Sequence, residues 1–335
     1  MPSARTLITE IATGLGCTSF DSVESALAER PREFVNVTSE AWSALDEEWA
    51  RPSRRVDFEG AFANGRALFL ADDGMRGRPV RRIEWKGSQR APAYEFLPAD
   101  LRIDHVFLVS CKYDSRVVGN TSPAHLFDDL QWGRIEAARD DWYQIVAPVE
   151  YQRFYEAARE ASEDRASLPA LVGGLGAADR ATLKAAFGRT WPPILDGPYR
   201  EFSFAVAKAS AARWEAATST QGRRELALWR LLRMGAAPYF LLGESGGERL
   251  RLRVATPWDW QQSFKLQSFA VAPARAEQPR VDWEARIQSR STREVVSVVG
   301  HVEVRWSHGR FAQPPEAKVY LDTPHHRVPG YFPLV

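Results

Sequence analysis

Val80-Arg81-Arg82-Ile83-Glu84-Trp85-Lys86-Gly87 and His105-Val106-Phe107-Leu108-Val109-Ser110-Cys111-Lys112-Tyr113 are two apolar runs that each carry a lysine near the end, and they decide the fold of this chain. Side chains alternate between the two faces of a strand, so Ser110 and Lys112 share one face and Cys111 lies on the other. Both faces of the second run are otherwise apolar, which is typical of a strand covered on both sides. The pattern predicts a buried strand whose polar pair emerges at its C-terminal end.

The residues on either side of this strand supply an acid and a helix start. Asp100 stands upstream in Pro98-Ala99-Asp100, separated from Ser110 by nine residues. Downstream, Ser122 predicts a helix N-cap and Pro123 the first helical residue. The local order is therefore an acid, a strand that ends in Ser-x-Lys, and a helix.

This order resembles the core of the PD-(D/E)XK nuclease superfamily, which has the restriction-endonuclease-like fold. The resemblance covers roughly residues 40 to 145, and Ser110 stands where the family has a carboxylate. It implies a Mg²⁺- or Mn²⁺-dependent nuclease that acts on DNA, because oxygen ligands hold a hard divalent cation beside a lysine. In this interpretation Lys112 orients or helps to activate the attacking water, and Ser110 is a weak or water-mediated ligand.

Two candidate acids for the metal lie between the runs. On a straight strand Asp104 would be roughly 20 Å from Ser110, so Asp104 can serve only if the chain folds back at residues 103–106. Asp100 needs a hairpin over the same residues, which lack the Gly or Asn that tight turns favour. Both acids stay open as metal ligands.

Glu84 is the third candidate acid, and it needs no hairpin. It shares a strand face with Lys86, the second candidate catalytic lysine. If the strand of residues 80–87 pairs beside the strand of residues 105–113, Glu84 meets Lys112 across the ladder. The alternative for each of these acids is an ion pair with a nearby arginine.

One further acid is predicted on a helix before the sheet. Residues 38–49 have an N-cap and an apolar stripe, and Asp46 lies beside that stripe. In the superfamily that the motif resembles, such a helix often supplies one more metal ligand, and Asp46 is the candidate. A solvated acidic face of Asp46, Glu47 and Glu48 is the alternative interpretation.

Two other acid and Glu-x-Lys spacings occur in the chain. Asp72 precedes Glu84 and Lys86, and Glu303 stands thirteen residues before Glu316. No helix start follows either of them, so each is ranked below the Ser110 motif. His325 and His326 follow Pro324, and we expect both imidazoles to be exposed in a loop.

Length and composition limit the class of protein. The chain has 335 residues and 44% apolar residues, which predicts two domains or one large α+β body. A net charge of +1 does not by itself indicate a nucleic-acid binder, although local basic clusters can still bind nucleic acid. Cys17 and Cys111 are too few for a disulfide framework. No apolar run reaches about eighteen residues and no signal-peptide pattern is found, so the sequence predicts a cytoplasmic protein without a membrane partner.

The predicted fold class is α+β. An N-terminal restriction-endonuclease-like mixed sheet with flanking helices is predicted for residues 1–145, a helical region for residues 146–235, and an antiparallel sheet of about six strands for residues 236–335. Residues 3–30 predict short helical pieces that break at Gly14 and Gly16. Residues 61–74 predict a strand between turns at Asn64-Gly65 and Asp73-Gly74.

The predicted function is a Mg²⁺-dependent DNA nuclease, in a setting such as bacterial restriction or anti-phage defence. The alternative is a subunit that kept the nuclease fold without the chemistry and holds nucleic acid or a protein partner. Locally clustered arginines would serve such binding: Arg51, Arg54, Arg55, Arg76, Arg78, Arg81 and Arg82. An unrelated small-molecule site among the C-terminal His and Glu residues is the third hypothesis.

Overall fold

A computed structural model of the protein describes residues 2–87, 99–113, 116–129, 141–188, 190–245, 247–307 and 309–335. Pro98 of the acidic motif therefore lies outside the described residues. The protein is α+β, with one mixed sheet of seven strands and one antiparallel sheet of five strands.

The chain forms two compact units, each built from separate segments. Unit 1 comprises Met1–Arg116, Arg233–Phe264 and Pro324–Val335, and unit 2 comprises Val117–Leu232 and Lys265–Thr323. These limits differ from the boundaries predicted at residues 145 and 235. The reason is that strands from the C-terminal third pair with the N-terminal sheet, and a consecutive division of the sequence cannot represent that pairing.

The α-helices lie in both units. In chain order they are α1 (Ala4–Gly16), α2 (Val23–Glu29), α3 (Ser39–Trp49), α4 (Arg55–Leu70), α5 (Pro123–Phe127), α6 (Trp142–Val146), α7 (Pro148–Glu160), α8 (Ala177–Phe187), α9 (Asp196–Ala217), α10 (Gln221–Leu231) and α11 (Pro257–Ser263). The predicted N-caps hold in part: the Thr38 hydroxyl accepts from the backbone N–H of Ala41, whereas Ser122 makes no side-chain cap.

The strands are β1 (Phe34–Val35), β2 (Ile83–Trp85), β3 (Leu101–Ile103), β4 (Phe107–Tyr113), β5 (Val117–Thr121), β6 (Tyr239–Ser245), β7 (Glu248–Val254), β8 (Phe264–Ala274), β9 (Arg280–Ser289), β10 (Val295–Arg305), β11 (Glu316–Leu321) and β12 (Tyr331–Pro333). The mixed sheet has the order β1-β2-β3-β4-β6-β7-β12, and the antiparallel sheet has the order β5-β11-β10-β9-β8.

Strand β4 lies at the centre of the mixed sheet. It is antiparallel to β3, with Leu101 opposite Val109, and parallel to β6, with Ser110 opposite Leu241. The condition under which Glu84 would meet Lys112, direct pairing of their two strands, is not met, because β3 runs between them.

A tight turn that the sequence did not signal joins β3 to β4. Asp104 and His105 adopt φ angles of 48° and 62°, so both central residues have the positive φ of a type I′ turn. The Asp104 carboxylate accepts hydrogen bonds from the backbone N–H groups of Arg81 and Arg82, at 2.9 and 2.8 Å. These bonds help to hold a turn that contains neither Gly nor Asn.

Helices α1 and α4 pack closely against each other and form one core with α3 and the strands β2, β3, β4 and β6. A Cβ atom on Gly65 would lie 1.9 Å from the carbonyl oxygen of Thr13, and a Cβ atom on Gly16 would lie 2.1 Å from that of Phe62. The glycines therefore permit the helices to approach. The predicted break at Gly14 and the predicted turn at Asn64-Gly65 are wrong, since both positions lie within helices, whereas α1 does end at Gly16 as predicted.

The C-terminal strands do not form one sheet. The prediction of a single antiparallel sheet of about six strands is wrong, because β6 and β7 join the mixed sheet of unit 1 while β8 to β11 pair with β5 in unit 2. Alternation of apolar residues predicts where a strand occurs, but the partner of the strand depends on contacts between distant parts of the chain.

Candidate functional site

The antiparallel pairing of β3 and β4 brings Asp100 beside Ser110. The Asp100 carboxylate oxygen Oδ2 accepts from the backbone N–H of Cys111 at 2.6 Å and from the Ser110 hydroxyl at 3.2 Å. The backbone of Asp100 also pairs on both sides, with Val109 of β4 and with Lys86 just after β2. Three neighbouring segments thus fix this carboxylate, while its other oxygen, Oδ1, accepts no hydrogen bond within the described part of the chain.

Two lysines lie close to this acid. The pKa of Lys112 is lowered, because its ammonium is removed from water, although the nearby charges of Asp100 and Glu10 partly oppose this effect. The Glu10 carboxyl is influenced by the positive charges of both Lys86 and Lys112. A lysine with a lowered pKa gives up or exchanges its proton more readily than an exposed lysine.

Glu10 on α1 completes the group, and sequence reasoning missed it. Its Oε2 accepts from the indole N–H of Trp85 at 2.6 Å. Burial, together with the neighbouring negative charge of Asp100, raises the pKa of Glu10 to about 8. Ionisation of Glu10 would place a second negative charge near Asp100, and a positive charge between the two carboxyl groups would relieve that repulsion.

Cys111 separates this group from the apolar core. Its side chain packs against the core that contains Val109 and Phe240, as the alternation along β4 predicts. Burial raises the pKa of the Cys111 thiol well above its ordinary value, and Asp100 and Glu10 add to that effect. The thiol therefore stays protonated and is not a nucleophile.

Residues from the C-terminal segments of unit 1 line the other side of Ser110 and Lys112. Tyr239 on β6 shares a hydrogen bond with the Ser110 side chain, and its pKa is raised by burial. The positive charge of Arg233 acts on Lys112 and lowers the pKa of that lysine. These contacts join the polar end of β4 to a part of the sequence that begins more than a hundred residues later.

His325 belongs to the same side of the site. The expectation that it is exposed in a loop is wrong, since its side chain is 4% exposed and stacks on Tyr331 with ring centroids 6.2 Å apart. Burial and the nearby charge of Lys112 lower its pKa to about 4, so the imidazole is neutral at pH 7. Its Nε2 atom is buried without a hydrogen-bond partner among the described residues.

Glu84 is not brought to this group. The carboxylate is 1% exposed and forms ion pairs with Arg82, Arg102 and His105. Opposite Glu84 in the register stands Arg102 rather than Lys112, because β3 lies between the two strands. Glu84 thus forms ion pairs with arginines, which is the alternative that the sequence left open.

Two other predicted acids also lie apart from Lys112. Asp104 caps the turn between β3 and β4 and bonds to backbone N–H groups there. Asp46 pairs with Arg30 in an ion pair whose side chains are about half exposed. The helix that supplies an acid is α1 rather than α3.

The donor set can be compared with the needs of a hard divalent cation. Within the described ranges, no group of three His, Cys, Asp or Glu side chains could hold a metal ion. Magnesium, however, is commonly held by one or two carboxylates together with waters and substrate phosphate oxygens. Glu10 and the free oxygen of Asp100 are two such carboxylates, so the residues fit an open Mg²⁺ or Mn²⁺ site that substrate would complete.

Comparison of the chain with family models, with curated proteins and with solved structures found no match. Among the helices of the described residues, none is both long and apolar enough to cross a bilayer. Function is therefore inferred from the residues of this chain alone.

Proposed function

We propose that unit 1 is a Mg²⁺-dependent nuclease that hydrolyses DNA and has the restriction-endonuclease-like arrangement of the PD-(D/E)XK superfamily. The observation that carries the proposal is that the Asp100 carboxylate accepts hydrogen bonds from Ser110 and Cys111 near the end of β4. Lys112 is the next residue of that strand. An acid at the start of one strand beside a Ser-x-Lys on the neighbouring strand is the arrangement that the motif resembles. A helix that supplies one more acid is also present, as α1 with Glu10.

Each residue has a role that follows from its surroundings. Glu10 and Asp100 would hold the cation, and Ser110 positions Asp100 through its hydroxyl. When bound, the divalent cation polarises the phosphate and lowers the pKa of a bound water. The raised pKa of Glu10 then matters, because this carboxyl must lose its proton before it can serve as a ligand.

Lys112 is the candidate for handling the water and the charge of the phosphate. Its lowered pKa makes proton exchange with an attacking water easier than it is for an exposed lysine. In hydrolysis the water oxygen bonds to phosphorus, the bond from phosphorus to the leaving oxygen breaks, and negative charge grows on the phosphoryl oxygens. Lys112 in its ammonium form, with Arg233 nearby, stabilises that negative charge electrostatically.

The test is cleavage of plasmid, linear and single-stranded DNA by the purified chain in Mg²⁺ or Mn²⁺. Lys112→Ala and Asp100→Asn are each expected to lower the rate by about 100-fold or more, the usual contribution of such groups. Asparagine at position 100 keeps an acceptor for the Cys111 N–H and removes only the charge.

Matched controls are Lys208→Ala on α9 and Asp72→Asn after α4, which remove the same groups from exposed positions. Both are expected to cleave like the wild type. Absence of cleavage by the wild type, or equal rates for the wild type and the Lys112 and Asp100 variants, would refute the nuclease proposal.

A second candidate function is a subunit that binds nucleic acid or a protein partner without cleaving. It is favoured by the serine at position 110, because the site then has two carboxylates instead of three. The Ser110 hydroxyl is also engaged in hydrogen bonds with Asp100 and Tyr239. DNA affinity that falls steeply with salt would support phosphate contacts. Arg51, Arg54 and Arg82 contribute less to such contacts than the sequence suggested, since they form ion pairs with Glu48 and Glu84.

A further inference from the structure

Unit 2 contains a groove that is separate from the residues of the proposed nuclease site. The groove has a volume of about 900 Å³, which is within the range of small-molecule sites. It lies between the beginning of α9 and the segment that links β8 to β9. Its lining includes three aromatic rings and three guanidinium groups: Trp191, Tyr199, Phe204, Arg200, Arg275 and Arg310.

Two of these arginines are held flat against aromatic rings. The guanidinium carbon of Arg310 is 3.8 Å from the ring centroid of Trp191, and that of Arg275 is 3.9 Å from the ring centroid of Phe204. A stacked guanidinium has already lost much of its conformational freedom, so less conformational entropy is lost when a ligand binds to it. The second face of each guanidinium remains for a ligand, as do the N–H groups other than Nη1 of Arg310, which donates to the Phe187 carbonyl oxygen at 3.4 Å.

Three guanidinium groups and two carboxylates line the groove, so positive charge is in excess by one. Arg200, Arg275 and Arg310 form no ion pair within the described part of the chain, although Asp196 and Glu277 also line the groove. Guanidinium groups that form no ion pair can bind an anion, above all a phosphate, because the planar guanidinium can donate to two phosphate oxygens at once.

The floor of the groove suits a flat heterocycle. Tyr199 is 7% exposed and donates a hydrogen bond to the side-chain oxygen of Gln278 at 3.0 Å. This bond leaves the Gln278 amide NH₂ without a partner among the described residues, as a donor for a ring oxygen or nitrogen. Trp191 and Tyr199 pack with ring centroids 5.3 Å apart and extend the aromatic surface.

We propose that this groove binds a nucleotide unit, with the base stacked on the arginine and aromatic pairs and the phosphate held by the arginine edges. Bases commonly stack on both aromatic rings and guanidinium planes, and arginine edges bind phosphate. The nucleotide can be a free molecule or part of a single strand. The proposal does not depend on catalysis in unit 1.

The test uses the full chain with Lys112→Ala, so that a bound strand is not cleaved. Calorimetric titration with ATP examines the free nucleotide, and fluorescence anisotropy of a labelled thymidine oligomer of about 12 nucleotides examines the strand. Arg275→Gln/Arg310→Gln is compared with Arg153→Gln/Arg286→Gln, which removes two exposed arginines of unit 2 that do not line the groove.

We expect the groove variant to weaken binding of at least one probe by about tenfold or more, and the control variant to change it by less than about twofold. Loss confined to ATP identifies a free nucleotide, and loss confined to the oligomer identifies a single strand. Arg200→Gln, which removes an exposed and unstacked arginine, is expected to weaken the same probe even if the double variant melts early.

Three results would overturn the proposal. The first is that neither probe shows saturable binding, and the second is that the groove and control variants weaken binding equally. The third is that inorganic tripolyphosphate competes as well as ATP does, which would mean that the base is not recognised. Since all variants carry Lys112→Ala, failure here is distinguishable from failure of the nuclease proposal, which is measured as cleavage by the chain with an intact Lys112.

Discussion

Replacing Glu10 by glutamine is expected to make the protein more stable at alkaline pH. The carboxyl has a pKa of about 8 in the folded chain and an ordinary value of 4.5. Between these values the folded chain binds more protons than the unfolded chain, so the free energy of unfolding falls as the pH rises. Below 4.5 both states are protonated and the effect vanishes, and above 8 it is complete.

The magnitude follows from the same two values. Each pH unit between them changes the free energy of unfolding by about 1.4 kcal/mol, which gives an upper bound of roughly 5 kcal/mol above pH 8. Partial access to solvent and the shared charge of Asp100 reduce this bound, so we expect a gain of roughly 2 kcal/mol for the variant at pH 8.5. Glutamine retains an oxygen that can accept from the Trp85 indole, which leaves the packing of α1 unchanged.

Urea unfolding at pH 5, 7 and 8.5, followed by fluorescence and circular dichroism, measures the effect as a shift in midpoint at constant slope. Glu59→Gln is the control, because it removes an exposed carboxylate from α4 in the same unit. Equal pH dependence of the wild type and the Glu10→Gln variant would refute the reasoning that this carboxyl is buried beside a like charge.

Three other predictions follow from single positions. Gly65→Ala is expected to lower the free energy of unfolding by about 3 kcal/mol or more, because the added methyl would lie 1.9 Å from the Thr13 carbonyl oxygen. In Gly60→Ala on the same helix the added methyl meets no atom within 4 Å, so this variant is expected to gain up to about 1 kcal/mol. The urea midpoints of the two variants test this. Ser110→Asp is expected to lower the melting temperature in EDTA, since it adds a third buried carboxylate, and to regain stability in Mg²⁺ more than the wild type does; equal Mg²⁺ shifts would argue against a metal site. The lowered pKa of His325, about 4, predicts that stability is lost as pH falls from 6.5 towards 4, and His325→Gln should flatten the pH profile of unfolding in that range.

The strand that carries Ser110 and Lys112 was predictable from its sequence, because its apolar run is a local pattern. The predicted burial is met at Val109 and Ser110, whereas the other residues of β4 are half-buried. The face assignment also followed, since alternation alone places Cys111 towards the core. The helix start at Pro123 was predictable for a similar reason: proline and its neighbours act within one turn of the chain.

Other features depended on contacts between distant residues. Gly65 is a strong turn signal in isolation, yet in α4 it serves the approach of the Thr13 carbonyl, which no local pattern reveals. Glu10 looks like any helical surface acid until α1 places it beside Trp85. The residues around Asp104 and His105 lack the Gly or Asn that tight turns favour, so the sequence left the hairpin open, and hydrogen bonds from the backbone N–H groups of Arg81 and Arg82 hold that turn in place.

The interleaving of the two units determines when each can be completed during synthesis. Strand β4 ends at Tyr113, but its parallel neighbour β6 begins only at Tyr239. During synthesis on the ribosome, the edge of β4 that pairs with β6 therefore has no partner while most of the helical part of unit 2 is being translated. Unit 2 in turn needs β8 to β11, which are synthesised after β6 and β7. Neither unit is a contiguous stretch that a protease or a truncated gene could release whole, and closing such long loops makes assembly slow compared with a chain whose domains follow one another.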